Sequence, residues 1–186
     1  MNNEFQSLKG HLLLDAGGMY GSSFHHSVIL MCQHSPEGAF GLVLNQPSGN
    51  CVGEVLPFDL PPSVKQQPVR NGGPVDGHSI HILHSDTLMF QGNVLPNLSL
   101  LQDMNDLNDL KNSVNPDKKI EVFTGYSGWG PGQIESEISR KSWLIHPASI
   151  ELVFKHQNES DWRDILSKMN WQQRLLANAP DDLSWN

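Results

Sequence analysis

The stretch that most constrains this chain is Gly125-Tyr126-Ser127-Gly128-Trp129-Gly130-Pro131-Gly132, followed by Gln133-Ile134-Glu135-Ser136-Glu137-Ile138. Four glycines and a proline fall within eight residues. A β-branched and aromatic run, Ile120-Glu121-Val122-Phe123-Thr124, leads into it, so the segment predicts a strand, a glycine turn over Gly125–Gly132 and a helix. Pro131 suits the first helical turn, where its missing N–H costs nothing. Ile134 and Ile138 fall at i and i+4 on one face. Glu135 and Glu137 sit near the positive end of the helix dipole. Trp129, a large ring held between glycines, predicts a residue wedged into the core.

Three chemical motifs share part of this pattern, and each lacks something. A phosphate cradle at a helix start has no Lys-Ser/Thr after Gly132 here, and two carboxylates occupy the anion position. A nucleophile elbow needs G-x-S-x-G, but Trp129 stands where the second glycine belongs. A dinucleotide fingerprint fails on spacing. A tight strand-to-helix turn is the reading that remains.

The chain has 186 residues, enough for one domain with a substantial core. Twelve Lys and Arg are scattered among 20 acids, giving a formal charge of −8 and no basic patch of the kind nucleic-acid binders carry. The start, Met1-Asn2-Asn3-Glu4-Phe5, has neither the basic nor the apolar region of a signal peptide. No apolar run approaches the roughly 18 residues of a membrane span. Two cysteines, Cys32 and Cys51, form no CxxC pair. These features point to a cytoplasmic protein with free thiols, no nucleic-acid partner and no membrane partner.

Taken in order, Leu12-Leu13-Leu14 predicts a buried strand, and the loop Ala16–Ser23 follows it. Ser27–Cys32 is apolar on both faces, as in a central strand, and Ala39–Asn45 is its partner across the turn Ser35-Pro36-Glu37-Gly38. Pro47 to Pro68 predicts an irregular segment with a short helix near Val52–Leu56. Val69–Val75 ends a strand in a glycine turn, and Ser79–His84 is another strand, continued by a hairpin through Gln91-Gly92-Asn93. Asp103 caps a short helix with Met104, Leu107 and Leu110 on its buried stripe, stopped by Asn115-Pro116-Asp117. Trp143–Ile145 and Ile150–Phe154 predict two further strands. Ser160 caps a last helix with Trp162, Ile165, Leu166 and Met169 at helical spacing. Hairpins with single inserted helices make this an α+β chain with a mostly antiparallel or mixed sheet.

Four blocks carry a resemblance. They are Gly10-His11-Leu12-Leu13; Phe24 through Ser27–His34 to Gly38–Pro47; Gly72-Gly73-Pro74-Val75 with Leu83-His84; and Gly125–Trp129 through Gly132–Glu135, Glu137 and Ile138 to Trp143-Leu144. In these blocks, in this order, the chain resembles the bacterial YqgE/AlgH family, whose members are labelled transcriptional regulators and have no established biochemical activity. The match runs from about Leu8 to Met169, so residues 1–186 form a single domain with a core of about 8–169 and a tail of 170–186. The resemblance implies a single α+β domain whose sheet curls into a partial barrel, with a few helices packed on it. Family members carry a proline and an aspartate in the first loop, where Gly17 and Gly21 stand here.

Candidate chemistry starts with the nine histidines. His78, His81 and His84 are spaced by three, which on a strand places neighbours on opposite faces. The adjacent His25 and His26 diverge in the same way. Cys32 and His34, at i and i+2, share a face, but a zinc site needs two more ligands. No metal site or cofactor is therefore expected. Cys32 with His34 or His84 is the best nucleophile–base pairing, although Cys32 ends an apolar strand and buried cysteines act as small hydrophobes. If the polar residues of the matching blocks converge with the glycine turns, they form a ligand pocket of Cys32, His34, Asn45, Gly72, Gly73, His84, Tyr126, Gly128, Trp129, Gln133 and Glu135. The functional expectation is a regulatory or binding domain taking a small-molecule ligand or protein partner. The alternative is a hydrolase or thiol enzyme at the glycine loops, which needs a base within about 3 Å of a nucleophile.

Overall fold

The structure, a computed structural model, describes residues 5–56, 59–85, 93–101, 119–155, 158 and 160–179. The helix expected after Asp103 and the hairpin expected through Gln91 and Gly92 lie outside these residues. Nine strands form one open mixed sheet: β1 (His11–Asp15), β2 (Val28–Ser35), β3 (Gly38–Val43), β4 (Pro47–Cys51), β5 (Pro68–Asn71), β6 (Val75–His84), β7 (Ser99–Leu100), β8 (Ile120–Trp129) and β9 (Trp143–Pro147). The main path runs β4-β5-β8-β3-β2-β1-β9, with β6 paired to β8 and β7. Among the described residues only the β5–β8 pair is parallel. Six short helices complete the described residues: α1 (Val52–Val55), α2 (Pro62–Lys65), α3 (Gln133–Ser139), α4 (Ile150–Lys155), α5 (Ser160–Ser167) and α6 (Trp171–Ala177).

The apolar runs of β1 and β2 are explained by layers on both sides of the sheet. Leu12, Leu14, Val28, Leu30 and Phe123 pack against Trp162, Ile165 and Leu166 of α5. Leu13, Ile29, Met31 and Val43 face the other way, against Trp129, Ile134 and Trp143. Ile134 and Ile138 both serve this second layer, as their spacing predicts. A third cluster of Val52, Leu56, Val64, Val69, Ile82 and Val122 fastens α1 and α2 to the far end of the sheet.

Three expectations are corrected. The glycine turn is much shorter than Gly125–Gly132, because β8 continues to Trp129. Gly125, at φ +67°, is the kink at which β8 changes partner. Before it, Thr124 pairs with Asn71 on β5; after it, Gly128 pairs with Phe40 on β3. Pro131 precedes the helix, whose N-cap is Gly132. Ile150–Phe154 is helical rather than a strand. The Ser149 hydroxyl accepts the Leu152 N–H (3.2 Å), the Ser149 carbonyl accepts Val153 N–H (2.9 Å), and the turn so started outweighs the β-propensity of the run. The proline-rich segment has the short helix expected near Val52–Leu56, which is α1, and it is more ordered than expected in also including β4 and α2.

Candidate functional site

The β2–β3 hairpin borders an open cleft. It has a volume of about 480 Å³, opens widely to solvent, and is lined by Lys9, Gln33, His34, Ser35, Phe40 and Trp129, with Glu37 at the hairpin turn. The hairpin positions these residues through a register shift between Met31 and Gln33. Met31 opposes Gly41, whereas Gln33 opposes Phe40. The shift resets the alternation of side chains. Cys32 therefore stays in the helix-covered layer with Leu30, while His34 turns to the opposite side, towards α3. The expectation that Cys32 and His34 share a face is wrong for this reason.

His34 is held at both ring nitrogens. Leu8 N–H donates to Nδ1 (2.9 Å), so Nε2 carries the hydrogen that reaches Glu135 Oε1 at 3.0 Å. Phe5 packs on the same ring, with centroids 4.8 Å apart. Beneath the cleft, Glu137 Oε2 accepts the indole N–H of Trp129 (3.0 Å) and of Trp143 (2.8 Å). Its Oε1 accepts from Gln133 (2.9 Å). Glu137 thus organises two buried indoles, beyond any service to the helix dipole. Trp129 is 6% exposed, as the wedge reading requires.

The remaining predicted residues divide. Phe40 stacks on Tyr126 (5.1 Å), and Gly128 faces Phe40 across the ladder, so both lie just behind the cleft. Gln133 Oε1 accepts Gly130 N–H and closes the short turn. Gly72 and Gly73 pack on β8 and do not line the cleft. Asn45 is buried and structural: Oδ1 accepts Val28 N–H (2.9 Å) and Nδ2 donates to the His26 carbonyl (2.8 Å). His84 is fully buried at the far end of β6. Cys32 is buried in the apolar layer, and that burial pushes its thiol far above the usual range. The predicted set therefore does not converge on one pocket.

Two arrangements were not foreseen. Asp15, fully buried, accepts Gly17 N–H (2.9 Å) through Oδ1 and His26 N–H (3.0 Å) through Oδ2. It thereby fixes the loop of residues 16–27, where His26 adopts φ +52° and stacks between His25 (3.8 Å) and Trp162 (3.9 Å). The neighbouring imidazoles meet because this segment is a turn and not a strand. The second arrangement places Ser79 Oγ 3.1 Å from His81 Nε2. Ser79 Oγ also donates to the Asp76 carbonyl at 2.7 Å. Desolvation holds the His81 pKa below the usual histidine value, with Asp76 opposing the shift. The i, i+2 spacing of Ser79 and His81 was the available signal.

Among the described residues, no three His, Cys, Asp or Glu side chains gather to hold a metal ion. No described helix is long and apolar enough to cross a membrane. Both described cysteines are free thiols, Cys32 buried and Cys51 exposed.

The model of the AlgH-like family, DUF179, matches residues 12–174. A UPF0301 protein of Chlorobium luteolum is 33% identical over 184 residues, covering 96% of this chain and 95% of the relative. Another, from Chlorobaculum tepidum, is 34% identical with 97% of each chain covered. The solution structure of the AlgH protein of Pseudomonas aeruginosa is similar at a TM-score of 0.70 and 31% identity, over 95% of this chain and 99% of that one. A crystal structure of a Corynebacterium diphtheriae protein shares the fold at a TM-score of 0.79 and 24% identity, over 95% and 94% of the two chains. Family model, relatives and topology agree that this chain belongs to the AlgH-like, UPF0301 family.

Proposed function

We propose that this chain is a cytoplasmic, non-enzymatic binding protein with a regulatory role, and that its binding face is the cleft at the β2–β3 hairpin. The observation that carries the reading is the state of the groups that would have to react. His34 has both ring nitrogens committed, to Leu8 N–H and to Glu135. Cys32 faces another layer, with its thiol raised by burial. What the cleft offers is a cation at Lys9, a carboxylate at Glu37, amide and hydroxyl groups at Gln33 and Ser35, and the Phe40 ring. That set suits a small ligand, or a partner's side chain, with a planar apolar part and an acidic or amide end. The formal charge of −8 opposes direct binding to duplex DNA, whose affinity comes from phosphate neutralisation. Regulation would then run through the ligand or a protein partner.

An amide NMR titration with pooled metabolites tests this. The expected shifts cluster at Lys9, Gln33, Ser35 and Phe40, and Lys9→Ala or Gln33→Ala weakens binding without lowering the melting midpoint. Shifts confined to another surface, or none with any pool, overturn the assignment.

The Ser79–His81 contact favours a second reading, a serine hydrolase. A neutral imidazole 3.1 Å from a hydroxyl has the geometry of a general base. The Ser79 proton, however, is directed at the Asp76 carbonyl. Covalent labelling of Ser79 by a fluorophosphonate, lost in Ser79→Ala, would establish the hydrolase and displace the binding reading.

A further inference from the structure

The segment that leads into β1 is fastened to one residue of β2. Leu8 N–H donates to His34 Nδ1 (2.9 Å), and the Ser7 hydroxyl donates to the His34 carbonyl (2.9 Å). The Phe5 ring packs on the same imidazole, with centroids 4.8 Å apart. Gly10 is where this strap joins the sheet. Its N–H donates to the Met31 carbonyl (2.9 Å), and its carbonyl accepts Ala148 N–H (3.1 Å). Lys9, the cation of the cleft, lies between that fixed joint and the fastened residues.

The contact between Leu8 and His34 exists in one protonation state only. A backbone N–H needs a lone pair at Nδ1, which the neutral ring offers when its hydrogen is on Nε2. The imidazolium carries hydrogen on both nitrogens. A proton added at Nδ1 therefore sets N–H against N–H across 2.9 Å. The other side of the ring responds in the opposite sense. Nε2, 3.0 Å from Glu135 Oε1, carries its hydrogen in both states, and a charged donor strengthens that bond. Proton uptake thus draws His34 to α3 and turns it against the strap. The remaining ties of the strap are exposed ones. Ser7 lies in solvent, so water can replace its bond. Phe5 is 44% exposed and tilted 54° to the imidazole. Leu8 is half-buried against the Trp129 layer.

We infer that His34 is a proton-operated latch on the strap Phe5–Lys9. Neutral, it holds the strap and keeps Lys9 in the wall of the cleft; protonated, it pairs with Glu135 and releases both. The consequence for a ligand rests on the cleft being the binding face. The surrounding charges have defined senses. Glu135 on α3 and Glu37 at the hairpin turn favour the proton, and Lys9 opposes it. Glu137, further along α3, is committed to the indoles of Trp129 and Trp143. His11 on β1 also titrates near the strap. Its Nδ1 faces the Leu8 carbonyl at 3.2 Å, which only accepts, so Nδ1 carries hydrogen in either state and this contact is indifferent to pH. The closed strap takes neutral His34 alone, so it opens as pH falls through the His34 titration.

NMR of the full chain from about pH 8 to about pH 5, the interval in which imidazoles take up a proton, tests the latch without any ligand. At the upper end, the ring nitrogen shifts of His34 report hydrogen on Nε2, and Ser7, Leu8 and Lys9 are as ordered as β1 by heteronuclear NOE. As His34 titrates, the Leu8 amide proton moves upfield and the NOE of these three residues falls, with the same midpoint as the ring. Glu135→Gln keeps an acceptor but removes its charge, so it moves that common midpoint to lower pH. His34→Gln abolishes the transition; where this variant fails to fold, the wild-type titration decides. A strap that stays ordered while His34 titrates overturns the latch. So does a His34 that remains neutral down to about pH 5, and so does a midpoint that Glu135→Gln leaves in place. Metabolite shifts confined to another surface would remove the cleft as the binding face and leave the latch standing.

Discussion

Replacing Trp129 with alanine measures how much of the fold rests on the layer beneath the cleft. The ring fills the space bounded by Leu13, Ile29, Met31, Val43, Ile134 and Trp143, and it is 6% exposed. Removing a buried Trp costs roughly 3–5 kcal/mol in transfer and cavity terms. Glu137 loses one indole donor but keeps Trp143 and Gln133, so its carboxylate is not stranded and no larger penalty follows. Unfolding entropy near 2.1 cal/mol/K per residue gives about 0.4 kcal/mol/K for 186 residues. A loss of about 4 kcal/mol therefore lowers the melting midpoint by about 10 °C. Trp129→Phe keeps most of the ring and gives up the hydrogen bond to Glu137. A bond to a charged group contributes about 1.5–3 kcal/mol, which corresponds to about 4–7 °C. Calorimetry on the two variants separates packing from hydrogen bonding. An alanine variant melting within about 2 °C of wild type would refute the core role and make Trp129 a surface residue of the cleft.

Three other outcomes follow from the same geometry. Iodoacetamide under native conditions labels Cys51 alone and labels both thiols after unfolding without reductant, because Cys32 is buried and neither is paired; mass spectrometry showing two fewer protons and no label would contradict this. Asp15→Ala removes the acceptor of two loop amides, costs about 2–4 kcal/mol, and speeds amide exchange across residues 16–27, whereas unchanged exchange there would dismiss Asp15 as the loop's anchor. His81 has its folded pKa lowered by burial, so the unfolded chain takes the proton first as pH falls. Stability from this group is full above about pH 6.5 and is lost as pH drops towards the folded pKa. His81→Gln should flatten the urea midpoint across that window, and a curve as steep as wild type would assign the loss to another group.

The parts of the fold legible in the sequence are those where one period dominates. Leu12-Leu13-Leu14 and Val28–Met31 are apolar throughout because layers cover both sides of the sheet. The i, i+4 isoleucines gave α3 its buried face. The extent of β8 was hidden, since Gly125 and Gly128 are turn residues by composition and strand residues only because three other strands lie against them. Ile150–Phe154 shows the ambiguity of a short apolar run, settled by the Ser149 cap and not by the run itself. The site was harder to read than the fold. A register shift of one residue at Cys32 moved His34 to the other face, and nothing in the order of residues announces such a shift. Asn45 is a candidate in the sequence only as a polar residue of the matching blocks, and in the fold that polarity serves to anchor the loop.

The glycines have one further consequence. A Cβ at Gly72 would run into the carbonyl oxygen of Gly125, and one at Gly125 would lie 2.7 Å from the carbonyl oxygen of Gly73. A Cβ at Gly73 would meet the backbone of Tyr126 and the hydroxyl of Ser127. These glycines oppose one another. They let β8 kink against the Asn71–Val75 turn, and the space they open is filled by backbone rather than left for a ligand. Gly72, Gly73 and Gly125 face backbone here and not the cleft. Gly72 N–H donates to the Thr124 carbonyl, and its own carbonyl accepts both Val43 N–H and the Ser127 hydroxyl, so this crossing has its polar groups satisfied internally. Under the proposed function, recognition falls to the elements that the crossing holds outward. The β2–β3 hairpin stays attached to β8 through Ala39, Phe40 and Gly41, and presents Gln33 and Ser35 near its turn, beside Lys9 from the segment before β1. A rigid crossing under an exposed hairpin is the arrangement by which a scaffold fixes a binding surface.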